Sequence, residues 1–259
     1  MRKLLTSLLS GLIFFFVQTS HAQISFTAPD TVCISTAVNI TNVTPGASSY
    51  FWNFCAANVS VTPIGTNLGN PGFLQTPVYF DYAYENGNYY GFSTNNVPGK
   101  LLRHDFGNSL LNTPTVTDLG TVGGVIPNHT EGLPVVKNNG QWYVIIVGGD
   151  ATGTANEAIV KITLGPNIAN NTPSGTYWGN IGNMAYPHDL YLFQDNGNWY
   201  GLTVNTTNNT ITRFDFTSDF NNVPTAVNLG NIGSLNGPTG IYAIKENGNW
   251  YAFVTNAFA

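Results

Sequence analysis

The stretch Glu85-Asn-Gly-Asn-Tyr-Tyr-Gly-Phe92 (ENGNYYGF) returns three more times along the chain. It reappears as NNGQWYVI at 138–145, DNGNWYGL at 195–202 and ENGNWYAF at 246–253. The shared glycines Gly87, Gly140, Gly197 and Gly248 lie 53, 57 and 51 residues apart. A second marker keeps step with the first: NLGN at 67–70, DLGT at 118–121, YWGN at 177–180 and NLGN at 228–231. A third falls between them, starting at Phe106, Leu164 and Phe216 and running into a proline at 114, 173 or 224. Three markers in a constant order define an internal repeat.

Each unit reads as four short strands. An alternating apolar strand comes first (LYLF at 190–193, IYAI at 241–244), then an Asn-Gly pair. That pair favours a type I′ turn, because both central residues need positive φ. The second strand carries the aromatic pairs Tyr89-Tyr90, Trp142-Tyr143, Trp199-Tyr200 and Trp250-Tyr251. KLLRHDF, AIVKITL and TITRFDF form the third, and a proline-ended loop leads to the fourth. Strands of this length joined by tight turns, without helical periodicity, predict an all-β fold. Four antiparallel strands per repeat of about 50 residues describe the blade of a β-propeller. The aromatic pairs should then fill the wedges between blades, and His104, aligned with Phe214, should be a blade-face residue. The chain between residues 57 and 259 is expected to supply about three and a half blades. In this reading NLGN at 67–70 is an isolated fourth strand, and the propeller is incomplete at its C-terminus, a fragment of a longer protein.

The start of the chain reads as an export signal over residues 1–22: Arg2 and Lys3, an apolar run from Leu4 to Val17, and the small-x-small site Ser20-His21-Ala22. Past that signal, six basic residues face thirteen acidic ones, a net charge of −7. The cations are scattered, which excludes nucleic acid as a partner, and no later apolar run reaches the length needed for membrane insertion. Charged residues make up only 8% of the chain, so solubility rests on neutral polar groups, as suits a secreted or cell-surface protein. Cys33 and Cys55 fit an oxidising compartment, either as two free thiols or as a disulfide. The disulfide is the expectation, since one opens a strand and the other ends its antiparallel neighbour.

Residues 23–56 have a different character. Tyr50, Trp52 and Phe54 match the Tyr-x-Trp-Asp-Phe-Gly-Asp-Gly strand of PKD-type immunoglobulin-like domains, while Asn53 replaces the acid and the Gly-Asp-Gly turn is absent. This segment resembles part of such a β-sandwich. The whole layout resembles exported surface proteins of Bacteroidota bacteria that join PKD-type domains to propeller repeats, many of them type IX secretion cargo. The resemblance implies architecture and location; it carries no catalytic residue.

Counting back from the hairpin glycines puts Glu131, His188 and Thr239 at one repeat position, with Gly132, Asp189 and Gly240 next to it. With His129, they make a candidate ligand-binding set (His129, Glu131, His188, Asp189, Thr239) at the mouth of the propeller channel. Imidazole and carboxylate groups can exchange protons or bind a metal. No metal-ligand spacing occurs within one element, so no metal or other cofactor is expected; the loop around Asp150 offers oxygen ligands for calcium without the EF-hand spacing. Sialidase boxes, Trp-Asp dipeptides and recurring kelch diglycines are missing. The weight of these residues falls on a non-enzymatic binding or adhesion module that contacts a glycan or a surface protein. The alternatives are an enzyme that acts on extracellular polysaccharide or peptide through the channel, and a structural spacer in a long surface protein.

Overall fold

The computed structural model describes residues 26–27, 41–43, 65–149 and 156–258. The chain divides into two compact units, Met1–Gly65 and Thr66–Ala259. In the first, β1 (Phe26–Thr27) pairs antiparallel with β2 (Thr41–Asn42). The export signal, the PKD-like strand, Cys33, Cys55 and Asp150 lie outside the described residues. Among the described residues there is no helix, and none long and apolar enough to cross a membrane.

The second unit is all antiparallel sheet. Its first sheet runs β3 (Pro77–Glu85), β4 (Asn88–Asn95), β5 (Lys100–Gly107), β6 (Thr115–Gly120). In the second, β7 (Thr130–Gly132) and β8 (Val135–Asn138) share one edge of β9 (Gln141–Gly148), followed by β10 (Ala158–Gly165) and β11 (Ser174–Gly179). Pro134 falls between β7 and β8, where a missing N–H cannot continue the ladder. The third sheet is β12 (Pro187–Asp195), β13 (Asn198–Asn205), β14 (Thr210–Thr217), β15 (Thr225–Asn228), and the fourth is β16 (Pro238–Glu246) with β17 (Asn249–Asn256). These are propeller blades in the predicted order, three of them with four layers of strand and one with two. The first strands of the sheets lie side by side, β3 against β7 and β8, and β12 against β7 and β16.

The four hairpins are type I′ turns: Asn86, Asn139, Asn196 and Asn247 have φ of 48–50°, and the glycines after them 75–84°. The NLG marker is a local turn as well. Its glycine has positive φ in all four copies, and in three of them the side chain two residues earlier caps the glycine N–H at 2.8 Å. Residues 67–70 keep that turn but form no strand, contrary to the sequence expectation. A fourth strand needs a third beside it, and among the described residues the fourth sheet has none.

Apolar side chains from successive positions of one strand go to opposite neighbours, as a two-residue period requires. Trp142, Val144 and Ile146 of β9 join Phe92 and Leu101 of the first sheet. Tyr143, Ile145 and Val147, from the same strand, join Phe214, Phe216 and Phe220 of the third. The aromatic pair thus faces both ways, one ring per neighbour, and His104 is buried on a blade face with Ser93 Oγ 2.8 Å from its Nε2. Burial pulls the His104 pKa below the usual imidazole range. The unfolded chain then takes up the proton first, so this side chain costs stability as pH falls through the ordinary imidazole value.

Polar latches tie blade to blade. Glu85, at the end of β3, accepts Trp142 Nε1 at 2.7 Å, Lys137 Nζ at 2.6 Å and the Ile168 N–H at 3.3 Å. Asp195 holds Lys245 in the same way at the next such junction but one. On the third strands, Arg103 donates to Asn170 O and Asn171 Oδ1, and Lys161 to Phe220 O and Asn221 Oδ1. Each of these cations therefore grips the third-marker loop of the following blade. At the tip of that loop one apolar side chain enters the wedge: Ile168 is 1% exposed and Phe220 is fully buried. Leu110 has the same position in the first blade, which among the described residues of this unit has no sheet before it, and is 49% exposed.

Equivalent positions in the repeat should therefore differ sharply in energy. Ile168→Ala should cost about 2–5 kcal/mol, while Leu110→Ala should stay within about 0.5 kcal/mol. Urea unfolding of the two variants measures both.

Candidate functional site

Every innermost strand begins with a β-bulge: between Val78 and Phe80, Thr130 and Gly132, His188 and Tyr191, and Pro238 and Gly240. A bulge leaves a residue unpaired and re-aims its side chain. The residues set apart are Tyr79, Glu131, Asp189 with Leu190, and Thr239. Tyr79 and Asp189 have φ of 48° and 53°. Gly132 is required here by close approach, since a Cβ would lie 2.6 Å from the Leu190 nitrogen. At this level the backbones of the second and third blades touch.

Glu131 is the centre of the group and is 9% exposed. The Tyr186 hydroxyl donates to Oε1 at 3.4 Å, and His188 Nδ1 lies 3.9 Å from Oε2. The Tyr186 and His188 rings meet edge to face at 4.3 Å. Burial raises the Glu131 pKa; the Tyr186 hydrogen bond and the His129 charge pull it partly back. Burial also lowers the His188 pKa, so this imidazole is neutral at pH 7 and the two side chains are close without forming an ion pair. His188 Nε2 is buried and lacks a hydrogen-bond partner. The raised Glu131 value means that the folded chain holds this proton more tightly than the unfolded one. Its contribution to stability is present at low pH and is lost as pH rises through the raised value.

Tyr79, from the first blade, completes the cluster. Burial raises its pKa, and the nearby charges of Asp189 and Glu131 raise it further, against a hydrogen bond with the Asp189 backbone. Three blades thus meet around one phenol. Asp189 is more constrained than its sequence position suggests. Its Oδ1 accepts the Leu190 N–H at 2.8 Å and its Oδ2 the Ile241 N–H at 2.9 Å, which joins the third blade to the fourth. Asp81 joins the first to the second in the same way, through the Tyr82 and Val135 N–H groups. Both carboxyls have raised pKa values, burial being the first cause.

Of the sequence-derived set, Glu131, His188 and His129 come together, and Asp189 reaches the group through Tyr79. Thr239 is half-buried and makes no hydrogen bond to it. Sequence reasoning missed Tyr79, Tyr186 and Asp81. Tyr79 had a signal, because it stands eight residues before Gly87 as Asp189 stands eight before Gly197. Beside the cluster opens a cavity of about 430 Å³ lined by Tyr79, Asp81, Leu133, Asp189, Tyr191 and Trp199. Among the described residues no three His, Cys, Asp or Glu side chains form a metal-binding group.

No family model and no curated protein matches the chain. Solved structures do. A bifunctional GH43-CE protein of Bacteroides eggerthii is 12% identical, with a TM-score of 0.46 over 68% of this chain and 22% of that one. An α-L-arabinofuranosidase of Clostridium thermocellum is 16% identical, with a TM-score of 0.45 over 71% and 64%. An exo-β-1,3-galactanase of Phanerochaete chrysosporium is 16% identical, with a TM-score of 0.45 over 69% and 43%. The chain thus spans less than two thirds of the length of each of the three. These findings correct the sequence expectation that set a non-enzymatic binding or adhesion module ahead of the enzyme alternative: the solved structures named here are of glycan-cleaving enzymes.

The geometry predicts the response of Glu131 to its neighbours. Tyr186→Phe removes a donor that lowers the Glu131 pKa, so the variant should titrate higher still. Carboxyl-carbon NMR of both proteins across pH 3–9 reads the direction, and an unchanged or lower value would contradict the Tyr186 contact.

Proposed function

We propose that this chain is the propeller of an exported enzyme acting on extracellular polysaccharide, with Glu131 as its proton donor. The observation that carries this reading is the buried carboxyl of Glu131, raised in pKa and held by Tyr186 where three blades converge. A carboxylic acid that keeps its proton above the ordinary range is what protonation of a leaving glycosidic oxygen needs.

The chemistry follows from the same residues. Glu131 gives its proton to the departing oxygen as the glycosidic C–O bond breaks. Positive charge then develops on the sugar ring, and the fixed carboxylate of Asp189 favours it. A water adds to the ring carbon and loses a proton; neutral His188, with Nε2 unsatisfied, is the acceptor the cluster offers. Polysaccharide suits the cavity because the faces of Tyr79, Tyr191 and Trp199 can cover the C–H side of a sugar ring while carboxylates meet its hydroxyls. The finer features of the sequence belong to this proposal too: an export signal over residues 1–22, a PKD-like segment over 23–56, and a likeness to Bacteroidota type IX cargo. They support a location outside the cell, where a glycan substrate would be met.

Reducing-sugar release from arabinan, xylan and galactan tests the reading. Glu131→Gln should lower kcat by about 10²-fold or more with the fold intact, and His188→Ala should also cripple turnover. Wild-type activity should decline as pH rises through the raised Glu131 pKa, since the acid form does the work. Equal turnover by wild type and Glu131→Gln would sink the assignment.

A further inference from the structure

Four loops run from a marker glycine to the first strand of a blade, and one of them breaks the pattern. Three span eight residues, from Gly69, Gly179 or Gly230 to the proline at 77, 187 or 238. In each of these an asparagine follows the glycine and clamps the loop. Asn70 donates to Leu74 O at 3.0 Å, while Asn180 and Asn231 bond both the N–H and the carbonyl of Met184 and Leu235. The fourth loop spans ten residues, from Gly120 to Thr130, and has Thr121 in place of the asparagine.

The longer loop is held by other means. Val122 and Ile126 are buried in the wedge between the first and second blades. Asn128 Oδ1 accepts the Gly99 N–H at 3.0 Å, and a Cβ at Gly99 would lie 2.1 Å from Pro127 O. A Cβ at Gly175 would lie 2.4 Å from Val125 Cγ2, so the loop sits directly on β11.

A second departure from the repeat meets the first. The opening residue of the NLG marker is Asn67, Asp118 or Asn228 in three copies, where it caps the glycine N–H. In the remaining copy it is Tyr177, whose ring cannot cap and is 55% exposed. Between the two departures lies a cavity of about 250 Å³, lined by the loop from Gly124 to Asn128 together with Asn156 and Tyr177. No charged side chain is among these lining residues. The sheets on either side, those of the first and second blades, are each complete in four layers of strand. The cavity lies at the end of the blades where Glu131 stands, because Asn128 leads through His129 into β7. It is set against the outermost strand of the second blade, β11, instead of the innermost.

We propose that this pocket binds a neutral sugar residue of the polysaccharide, away from the bond that is cleaved. The Tyr177 ring offers its face to the C–H side of the sugar, and Asn128 Nδ2 donates to a hydroxyl. An uncharged ligand suits a lining without charge, since an ion would lose hydration there and gain no counter-charge. The close approaches at Gly99 and Gly175 hold the frame in place, so little ordering is needed when the sugar enters. The choice of a glycan rests on the proposed function; the pocket itself follows from the two breaks in the repeat.

Oligosaccharides of arabinan, xylan and galactan are the probes, titrated into the full chain carrying Glu131→Gln and followed by calorimetry and NMR. At least one should bind and shift the Tyr177 ring signals. Tyr177→Asn restores the capping residue of the other copies, so the fold is kept while the ring is lost. It should weaken that binding about tenfold. In the chain with Glu131 intact it should raise KM for the polysaccharide and leave kcat near that of wild type. Polygalacturonate should bind more weakly than the neutral glycans, and equal affinity would overturn the choice of a neutral sugar. Binding that Tyr177→Asn leaves unchanged overturns the pocket, even if the glycan is hydrolysed and the catalytic reading stands. Binding that depends on Tyr177, without hydrolysis by wild type, upholds the pocket and removes the catalytic reading. Failure of all three glycans to bind overturns the proposal.

Discussion

Packing of one sheet face against the next is the interaction on which everything else in the propeller depends. A strand such as β9 is buried on both sides, so its alternate residues must satisfy two different neighbours. That explains the near-continuous apolar run WYVIIV in its centre. It also explains why latches are needed: apolar wedges alone are non-directional and would let blades slide. Glu85, Arg103 and Lys161 set the register by hydrogen bonds whose geometry tolerates little displacement. Each sits where burial would be costly without its partner.

The same convergence that closes the wedges makes the site. Where the first strands crowd together, bulges turn Tyr79, Glu131 and Asp189 away from their ladders, and Gly132 lets two backbones meet. Water is excluded there, which raises the carboxyl pKa values and keeps His188 neutral. Asp81 and Asp189 show how closely structure and chemistry are joined. Each spends both oxygens on backbone N–H groups of its own and the next blade, and Asp189, one of the carboxylates that hold the blades in place, also acts on the Tyr79 phenol.

Much of the fold was legible. The Asn-Gly turns, the four-strand order, the three and a half blades and the packing role of the aromatic pairs follow from local rules that a repeat displays several times over. The NLG marker misled because its capped turn is local and forms with or without a neighbouring strand, so at 67–70 it signals a turn alone. Function was legible only in outline. Glu131 and His188 could be grouped by repeat position and His129 by its closeness to Glu131 in the chain, yet the balance of the sequence pointed to a binding module. A lone glutamate reads as ordinary polar surface until burial is known, and nothing in the order of residues states burial.

By itself, the sequence determined what short-range chemistry controls: turn type from Asn-Gly, strand period from alternation, and the order of strands within a blade from the repeat. The tertiary structure alone decided which residues meet. Tyr79, Glu131, Tyr186 and His188 come from three blades and are separated by up to 109 positions. Their contact depends on the wedge angle and on bulges that no local pattern encodes. The pKa shifts come from desolvation, a property of everything that surrounds a group, which exists only after the blades have closed over it.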